Sequence, residues 1–303
     1  MPSADARPWK MFLPLAAVIL LGLAWTGYWF VGSSMVQSRF AEERLRLQEQ
    51  GLSLRCTEEA SGGFPFHFEF SCRSPVLTYG NVAEVKSSAL LLTALAYAPW
   101  QVVALLDGPT TLTAQGIIPT TAQHQRAIAA ITFGEGWKPK LSAEVPALSI
   151  PGLGSAAKLM LHTRPSASGG NDVAVSAADA VYQPEGKPPI TLNKAELLGT
   201  LLPDRSLKVD SVAFEQGQLR LSGAGTLALD EAHRLSGRID SETNDAKALM
   251  ALLSPHLQLT EEQKSGLSTM LGLLGNTAKA PLIAKDGVLY LGPFAVAQLK
   301  PLY

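Results

Sequence analysis

The segment Leu219-Arg-Leu-Ser-Gly-Ala-Gly-Thr-Leu-Ala-Leu229 carries the pattern that decides the fold, because apolar or small residues recur at every second position. Such alternation is typical of a β-strand with one buried face. A polar turn occupies residues 230–234, and the same alternation resumes at Leu235, Gly237 and Ile239. Residues 218–240 therefore predict a β-hairpin with one apolar face.

Two glycines interrupt the leucines of this hairpin. Gly223-Ala224-Gly225 has the beginning of a phosphate-binding loop, but the third glycine, the following helix and the acidic partner are missing. Glycines at a strand bend or bulge explain the segment better.

Similar strand-like runs fill most of the chain before the hairpin, separated by turn signals such as Asp107-Gly108-Pro109. They cover residues 74–79, 82–97, 102–106, 110–118, 140–150, 158–163, 173–182, 191–198 and 207–214. Residues 124–132 instead predict a short helix. Over residues 89–97 the alternation fails, so both faces of that strand are expected to be apolar and to need a cover.

A strand with alternating aromatic residues is predicted near the beginning of this series. Phe64, Phe66, Phe68 and Phe70 alternate with polar residues or proline, and Cys72 has the same parity. One face of the strand is therefore expected to be buried. Because proline cannot donate a ladder hydrogen bond, Pro65 limits the strand to an edge or to pairing that begins after it.

The two cysteines, Cys56 and Cys72, predict one disulfide. The apolar run at residues 11–31, described next, predicts that the rest of the chain is exported. An even cysteine count in an exported chain is typical of a disulfide, because the compartment outside the inner membrane is oxidising. The alternative, a pair of metal ligands, lacks both the C-x-x-C spacing and partner histidines.

An uncharged apolar run at residues 11–31 predicts a membrane-spanning helix. Arg7 and Lys10 precede it, while Trp25, Tyr28 and Trp29 gather at its far end, which favours a cytoplasmic start and an interfacial end. We expect a cytoplasmic tail (1–10), an anchor (11–31) and a periplasmic β-rich domain (32–303). A cleaved signal peptide is the alternative, but the run is long for a signal core and no A-x-A pattern follows it.

Helices are predicted at three further places. Residues 33–50 extend the anchor out of the membrane and end near Gly51. Asn244 is expected to cap a helix that stops before Pro255, and Thr260 to cap a second helix over residues 260–275. The chain then closes with two strands joined at Lys285-Asp286-Gly287.

Composition limits the classes of function. Charged residues make up 17% of the chain and the net charge is −1 without a basic stripe, which argues against disorder and against nucleic-acid binding. The five histidines are scattered, and no hydrolase elbow, Walker loop or H-E-x-x-H motif occurs. We therefore expect no catalytic, cofactor-binding or metal-binding residues and no enzyme, with an uncharacterised hydrolase as a minor alternative.

Several segments resemble the proteobacterial domain of unknown function 2125 family. They comprise Gly63-Phe64-Pro65-Phe66-His67-Phe68 with Cys72, Ala98-Pro99-Trp100-Gln101, Asp107-Gly108-Pro109, Gly223-Ala224-Gly225-Thr226-Leu227, Leu235-Ser236-Gly237 and 286–293. The resemblance implies a membrane-anchored envelope protein of Gram-negative bacteria, without functional residues to transfer. The expected architecture is also loosely similar to AsmA-like envelope proteins, whose long curved sheets handle lipids.

The sequence therefore predicts a β-dominated α+β fold: an N-terminal transmembrane helix, an extended curved antiparallel sheet and a few amphipathic helices. We expect a single-pass inner-membrane protein with most of its chain in the periplasm. Two functions stay open, a binding or scaffold module with an apolar groove for lipid, and a structural or assembly protein that contacts other envelope proteins. An apolar sheet face looks the same in sequence whether helices or lipid cover it.

Overall fold

Antiparallel strands dominate the computed structural model, which describes residues 9–115, 117–134, 138–256, 262, 265–266, 269 and 277–301. Two helices and two open sheets are formed in this part of the chain. Helix α1 covers Trp9–Glu49 and helix α2 covers Ala246–Leu253. The predicted fold class is confirmed.

The larger sheet has fifteen strands in the order β2-β3-β6-β7-β10 followed by β11 to β20 in sequence. Its first strands are β2 (Glu58–Gly62), β3 (His67–Arg73), β6 (Ala89–Leu95), β7 (Ala98–Asp107) and β10 (Ala127–Phe133). The following strands are β11 (Pro139–Ile150), β12 (Gly154–Pro165), β13 (Asn171–Tyr182), β14 (Ile190–Leu201) and β15 (Leu207–Gln216). The last are β16 (Leu219–Leu229), β17 (Leu235–Thr243), β18 (Ala278–Lys285), β19 (Val288–Leu291) and β20 (Phe294–Gln298).

A smaller sheet of five strands has the order β1-β4-β5-β8-β9. Its strands are β1 (Leu52–Arg55), β4 (Val76–Tyr79), β5 (Ala83–Lys86), β8 (Thr110–Ala114) and β9 (Ile117–Ala122). The chain passes between the two sheets at five short breaks, for example at Ser74-Pro75 and at Gly108-Pro109. At each break, the chain therefore leaves a strand of one sheet, changes direction and enters a strand of the other sheet.

Helix α1 is continuous from the apolar run through the predicted juxtamembrane helix. It is long and apolar enough over residues 12–49 to cross a membrane, and little of its surface is buried by the rest of the chain. The helix ends before Gly51, whose φ of +86° suits glycine and few other residues.

Most predicted strands are present, with four differences. Residues 110–118, predicted as one strand, contain β8 and the beginning of β9, which pair with each other. Residues 82–97 form two strands, β5 and β6, because the chain changes sheets at Ser87-Ser88. The helix predicted at 124–132 is wrong, because β10 occupies most of this segment and pairs on both sides. The alternation predicted from Phe64 begins as a strand only at His67, after Pro65.

The predicted hairpin is confirmed, because β16 and β17 pair with Leu229 opposite Leu235. The pairing of β15 with β16 shifts register between Val209 and Val212, next to Gly225 and Gly223. A Cβ atom on Gly225 would collide with the carbonyl oxygen of Arg238 on β17. The glycines therefore allow close strand approach beside a bulge, as expected.

Helix α2 begins one residue later than predicted. Asp245 is its N-cap, and the Asp245 carboxylate accepts a 2.8 Å hydrogen bond from the amide of Ala248. The predicted cap, Asn244, instead accepts from the amide of Arg220 and donates to the carbonyl of Gln218 at the start of β16. Most of the second predicted helix, residues 260–275, lies outside the described residues.

Candidate functional site

A row of directly paired residues crosses the larger sheet on one face. In an antiparallel sheet, residues directly opposite each other project to the same side. The first row is Phe70, Leu92, Ala104, Ala129, Ala143, Leu161, Val175, Leu197, Val212, Gly223, Ser241 and Ala280. It contains no charged side chain, and a serine near its end is its one polar member.

A second row lies beside the first on the same face. It is Phe68, Ala94, Val102, Ile131, Leu141, Thr163, Val173, Gly199, Val209, Gly225, Ile239, Leu282, Leu291 and Phe294. It is also uncharged. We call the side formed by these two rows the apolar face. At about 4.8 Å between neighbouring strands, the second row follows the sheet for roughly 60 Å.

The opposite side of the same strands, which we call the charged face, carries the ionic side chains. Its ion pairs include Lys158–Glu144, Arg164–Asp172, Lys194–Glu196, Lys208–Asp210, Arg220–Glu215, Arg238–Asp240 and Lys279–Glu242. These pairs are exposed to solvent and contribute little stability individually. Their position shows which side of the sheet faces water.

The middle of the apolar face has no covering layer in the described part of the chain. From β10 to β15, Ala156 and Val209 are the buried apolar side chains, whereas Leu161, Val175 and Leu197 stay half-buried. The main contacts of each central strand are with its two neighbouring strands. A sheet normally buries its apolar side against another layer. Among the described residues, no such layer lies over the middle of this face.

Helix α2 covers the far end of the apolar face. Ala246 and Met250 pack with Ala278, Leu291 and Phe294, where the second row ends. The apolar side of α2 is therefore part of a core with the last strands of the sheet.

Helix α1 covers the near end. Trp29, Phe68 and Ala96 form a buried cluster, and the Trp29 ring lies 6.1 Å from that of Phe68. The rings of Phe40 and Phe70 are 4.7 Å apart further along the helix. The alternating phenylalanines thus contact helix α1.

Three hydrogen bonds fix the helix to this end of the sheet. Trp25 Nε1 donates to the carbonyl of Pro65 at 2.9 Å, and Trp29 Nε1 donates to that of His67 at 2.8 Å. The Tyr28 hydroxyl donates to the carbonyl of Ala96 at 2.7 Å. We call Trp25, Tyr28 and Trp29 the aromatic clamp. They were predicted as interfacial residues, and each also binds the sheet.

A cavity of about 180 Å³ lies just beyond the aromatic clamp, between α1 and the apolar face. Val36, Gln37 and Phe40 form its helix side, and the first members of both apolar rows form its sheet side. Its polar lining is limited to Ser33, Gln37, Ser61, Glu69 and Thr93. We call it the entry cavity.

The predicted cysteine pair lies at the junction of the two sheets. Cys56 follows β1 of the smaller sheet and Cys72 lies in β3 of the larger one, with their Cα atoms 5.3 Å apart in a disulfide. Cys72 is 1% exposed. The pair therefore connects the sheets near α1 and is separate from the open part of the apolar face.

A shallow depression on the charged face contains the nearest approach to a catalytic arrangement. Ser142 and His162 are cross-strand partners and their side chains are hydrogen-bonded. The nearby Asp172 carboxylate is bonded to Arg164 and Thr200 instead of to the histidine. This pair therefore lacks the third group that orients a catalytic imidazole. Within the described residues, no cluster of three His, Cys, Asp or Glu side chains could hold a metal ion.

Two carboxylates on the charged face have lowered pKa values because of hydrogen bonds. Arg126 donates to both oxygens of Asp107 and lowers the pKa of this carboxyl. Bonds from Ser166 and Arg164 lower the pKa of Asp172. Both groups are solvent-exposed and hold neighbouring strands together, so they stay ionised without pointing to acid–base catalysis.

The continuous apolar face was beyond the reach of sequence reasoning. Alternation in each run indicated an apolar side, but only the pairing registers show that all these sides coincide. The distribution of charge was an available signal for the two faces. In β14, for example, the charged residues Lys194 and Glu196 alternate with the apolar residues Ala195 and Leu197.

Comparisons with known proteins agree with the resemblance noted in the sequence. The model of a family described as "Uncharacterized protein conserved in bacteria (DUF2125)" matches residues 29–300. No curated protein and no solved structure matches the chain. The matched region begins within the aromatic clamp and contains nearly the whole of both sheets.

Proposed function

The chain belongs to the DUF2125 family, and from this premise we propose that it is a membrane-anchored module that binds lipid acyl chains along its apolar face. The observation that carries the proposal is the uninterrupted, uncharged double row from Phe68 to Phe294, open in its middle. Its ligand must be apolar and long, because no charged group is available along roughly 60 Å of sheet.

Energetics favour an occupant on this face. Exposed apolar surface costs about 25 cal/mol per Å², and contiguous patches above a few hundred Å² usually mark a binding site. Each methylene of an acyl chain that is transferred out of water contributes about 0.8 kcal/mol. The apolar residues whose exposure to water is unfavourable would thus be the residues that bind lipid chains.

The membrane helix supports lipid as the occupant. As a membrane anchor, helix α1 would join the near end of the apolar face directly to a bilayer, which is a concentrated source of acyl chains. The charged face has no such continuity and offers paired ions instead. Binding without chemistry also fits the incomplete Ser142–His162 arrangement.

We place the sheets in the periplasm, on the outer side of the inner membrane. Basic residues before the anchor favour a cytoplasmic start, and the Cys56–Cys72 pair suits an oxidising compartment. A periplasm-dependent reporter fused after Tyr303 should be active. An inactive fusion, or a mature N-terminus mapped beyond Val31, would contradict this placement.

Site-specific photocrosslinking in intact cells tests the lipid proposal. A benzophenone amino acid at Leu197, on the open part of the apolar face, should form a lipid adduct that mass spectrometry identifies. Leu198 is the matched control, because it is the same residue type on the same strand and projects from the charged face. It should give at least tenfold less lipid adduct.

Each other outcome has a definite meaning. Equal lipid adducts at Leu197 and Leu198, or none at either, would reject the lipid-binding face. A protein adduct confined to Leu197 would reject it in favour of the assembly function, in which another envelope protein covers the apolar face.

A further inference from the structure

The entry cavity lies where a lipid leaving the bilayer would first meet the sheet. Val36 is seven residues beyond Trp29, so it lies about 10 Å further along a helix with a rise of 1.5 Å per residue. The headgroup region of a bilayer leaflet is about 5–8 Å thick. With the aromatic clamp at the interface, the cavity is thus just above the headgroups.

The cavity has the size and lining that suit hydrocarbon. Its volume is about 180 Å³, and apolar cavities of roughly 150 Å³ stay dry and bind small hydrocarbons. Phe68, Leu92 and Ala94 supply the sheet wall, and Val36 and Phe40 supply the helix wall. This volume holds several methylenes of an acyl chain.

The helix is held close on one side of the cavity. A Cβ atom at Gly32 would approach the Phe68 ring to 2.9 Å, so glycine permits the contact. The three bonds of the aromatic clamp fix the helix next to this point. The cavity is therefore a fixed gap between packed elements, bounded below by the clamp.

The cavity is continuous with the open apolar face. Val102 lines the cavity and is paired with Ile131, the next residue of the second row. Leu92 also lines it and is followed in the first row by Ala104 and Ala129. The uncovered part of both rows begins at these β10 residues. A chain that enters beside α1 can thus advance along the face without crossing a charged residue. Glu69 is the one charged residue in the lining and alternates with Phe68 and Phe70 on β3, so the lining offers no positive charge to an anionic headgroup.

We propose that the entry cavity is the port through which the acyl chain of a bilayer lipid passes from the membrane onto the apolar face. This inference rests on the proposed lipid-binding function. It assigns a site, between α1 and strands β3, β6 and β7, and a direction of loading.

Filling the cavity tests the port in the full-length chain in cells. Ala94→Trp places an indole in the cavity from the sheet side, and Val36→Trp does so from the helix side, where Val36 is 42% exposed and bulk is tolerated. With benzophenone at Leu197 as the reporter, each variant should reduce the lipid adduct at least tenfold. Leu91→Trp is the control, because it adds the same ring to the charged face of β6 and should preserve the adduct.

The outcomes separate the port from the function on which it rests. An unchanged Leu197 adduct in both filled variants would overturn the port and leave lipid binding intact. Absence of the adduct in the unfilled protein would overturn lipid binding itself. A small diazirine amino acid at Val36, close to valine in volume, gives an independent reading without filling the cavity: a lipid adduct there supports the port, and its absence while Leu197 still reacts overturns it.

Discussion

The indole N–H of Trp29 donates a 2.8 Å hydrogen bond to the carbonyl oxygen of His67, the first residue of β3. Trp29 is 6% exposed, although it lies near the end of the apolar run 11–31, whose large side chains are mostly exposed. A buried tryptophan needs a partner for its N–H, and here the partner is the strand that starts both apolar rows. The buried Trp29 side chain is therefore one of the links that join helix α1 to the sheet, beside the hydrogen bonds of Trp25 and Tyr28.

Shortening Trp29 should detach the helix from the sheet. Trp29→Ala removes a buried ring and should lower the free energy of local unfolding by about 3–5 kcal/mol. Trp29→Phe keeps most of the packing and should cost about 1–3 kcal/mol, because the His67 carbonyl loses its donor. Hydrogen exchange of the β3 and β6 amides measures both values.

The control is Leu23→Ala, an exposed position on the same helix. It should leave β3 and β6 exchange unchanged. Equal effects of Leu23→Ala and Trp29→Ala would show that the aromatic clamp does not hold the sheet.

The sequence was sufficient for the strands and the helix because their signals are local. Leu219 to Leu229 alternates over eleven residues, and the structure pairs it as predicted. The run at 11–31 needed only length and hydropathy. Even the position of Pro65 predicted where the phenylalanine strand could begin.

The site was not predictable in the same way, because it depends on relationships between distant strands. The apolar face exists only because residues such as Leu161, Val175 and Leu197 are aligned across three strands, and register is not encoded in any one segment. The wrong helix at 124–132 has a related cause. Pairing on both sides made Ala127–Phe133 a central strand despite weak local signals.

Gly225 should be intolerant of a side chain. In Gly225→Ala the new methyl group would overlap the carbonyl oxygen of Arg238, so β16 and β17 must separate. We expect a loss of about 2 kcal/mol or more in the free energy of unfolding, measured by urea titration. Gly62→Ala is the control, because a Cβ atom there meets no heavy atom within 4 Å. Equal losses in the two variants would contradict the close strand approach.

The Asp107–Arg126 pair should make stability depend on pH in the acid range. Arg126 holds the pKa of Asp107 below its ordinary value, mainly through hydrogen bonding, and His124 adds a smaller electrostatic effect. The native state therefore gains stability above the ordinary carboxyl pKa and loses it as the pH falls through the lowered pKa. Because the pair is exposed, the gain should not exceed about 1 kcal/mol.

Melting temperatures at neutral and acidic pH measure this contribution. Asp107→Asn should be less stable than the unaltered protein at neutral pH, and the difference should vanish in acid. Glu231→Gln, a change at an exposed turn carboxylate, should give no such difference. A constant deficit of Asp107→Asn at all pH values would show that the ion pair is not its cause.

The bond between Cys56 and Cys72 should stabilise the junction of the two sheets. It closes a loop with a sequence separation of 16, for which the chain-entropy model gives about 3 kcal/mol. Mass spectrometry of non-reduced peptides should show the two cysteines linked in protein isolated from membranes. Reduction should lower the unfolding free energy of the unaltered protein and have no effect on a Cys56→Ser, Cys72→Ala variant, in which alanine suits the buried position. Free thiols in the isolated protein would contradict both the pairing and the oxidising location that it supports.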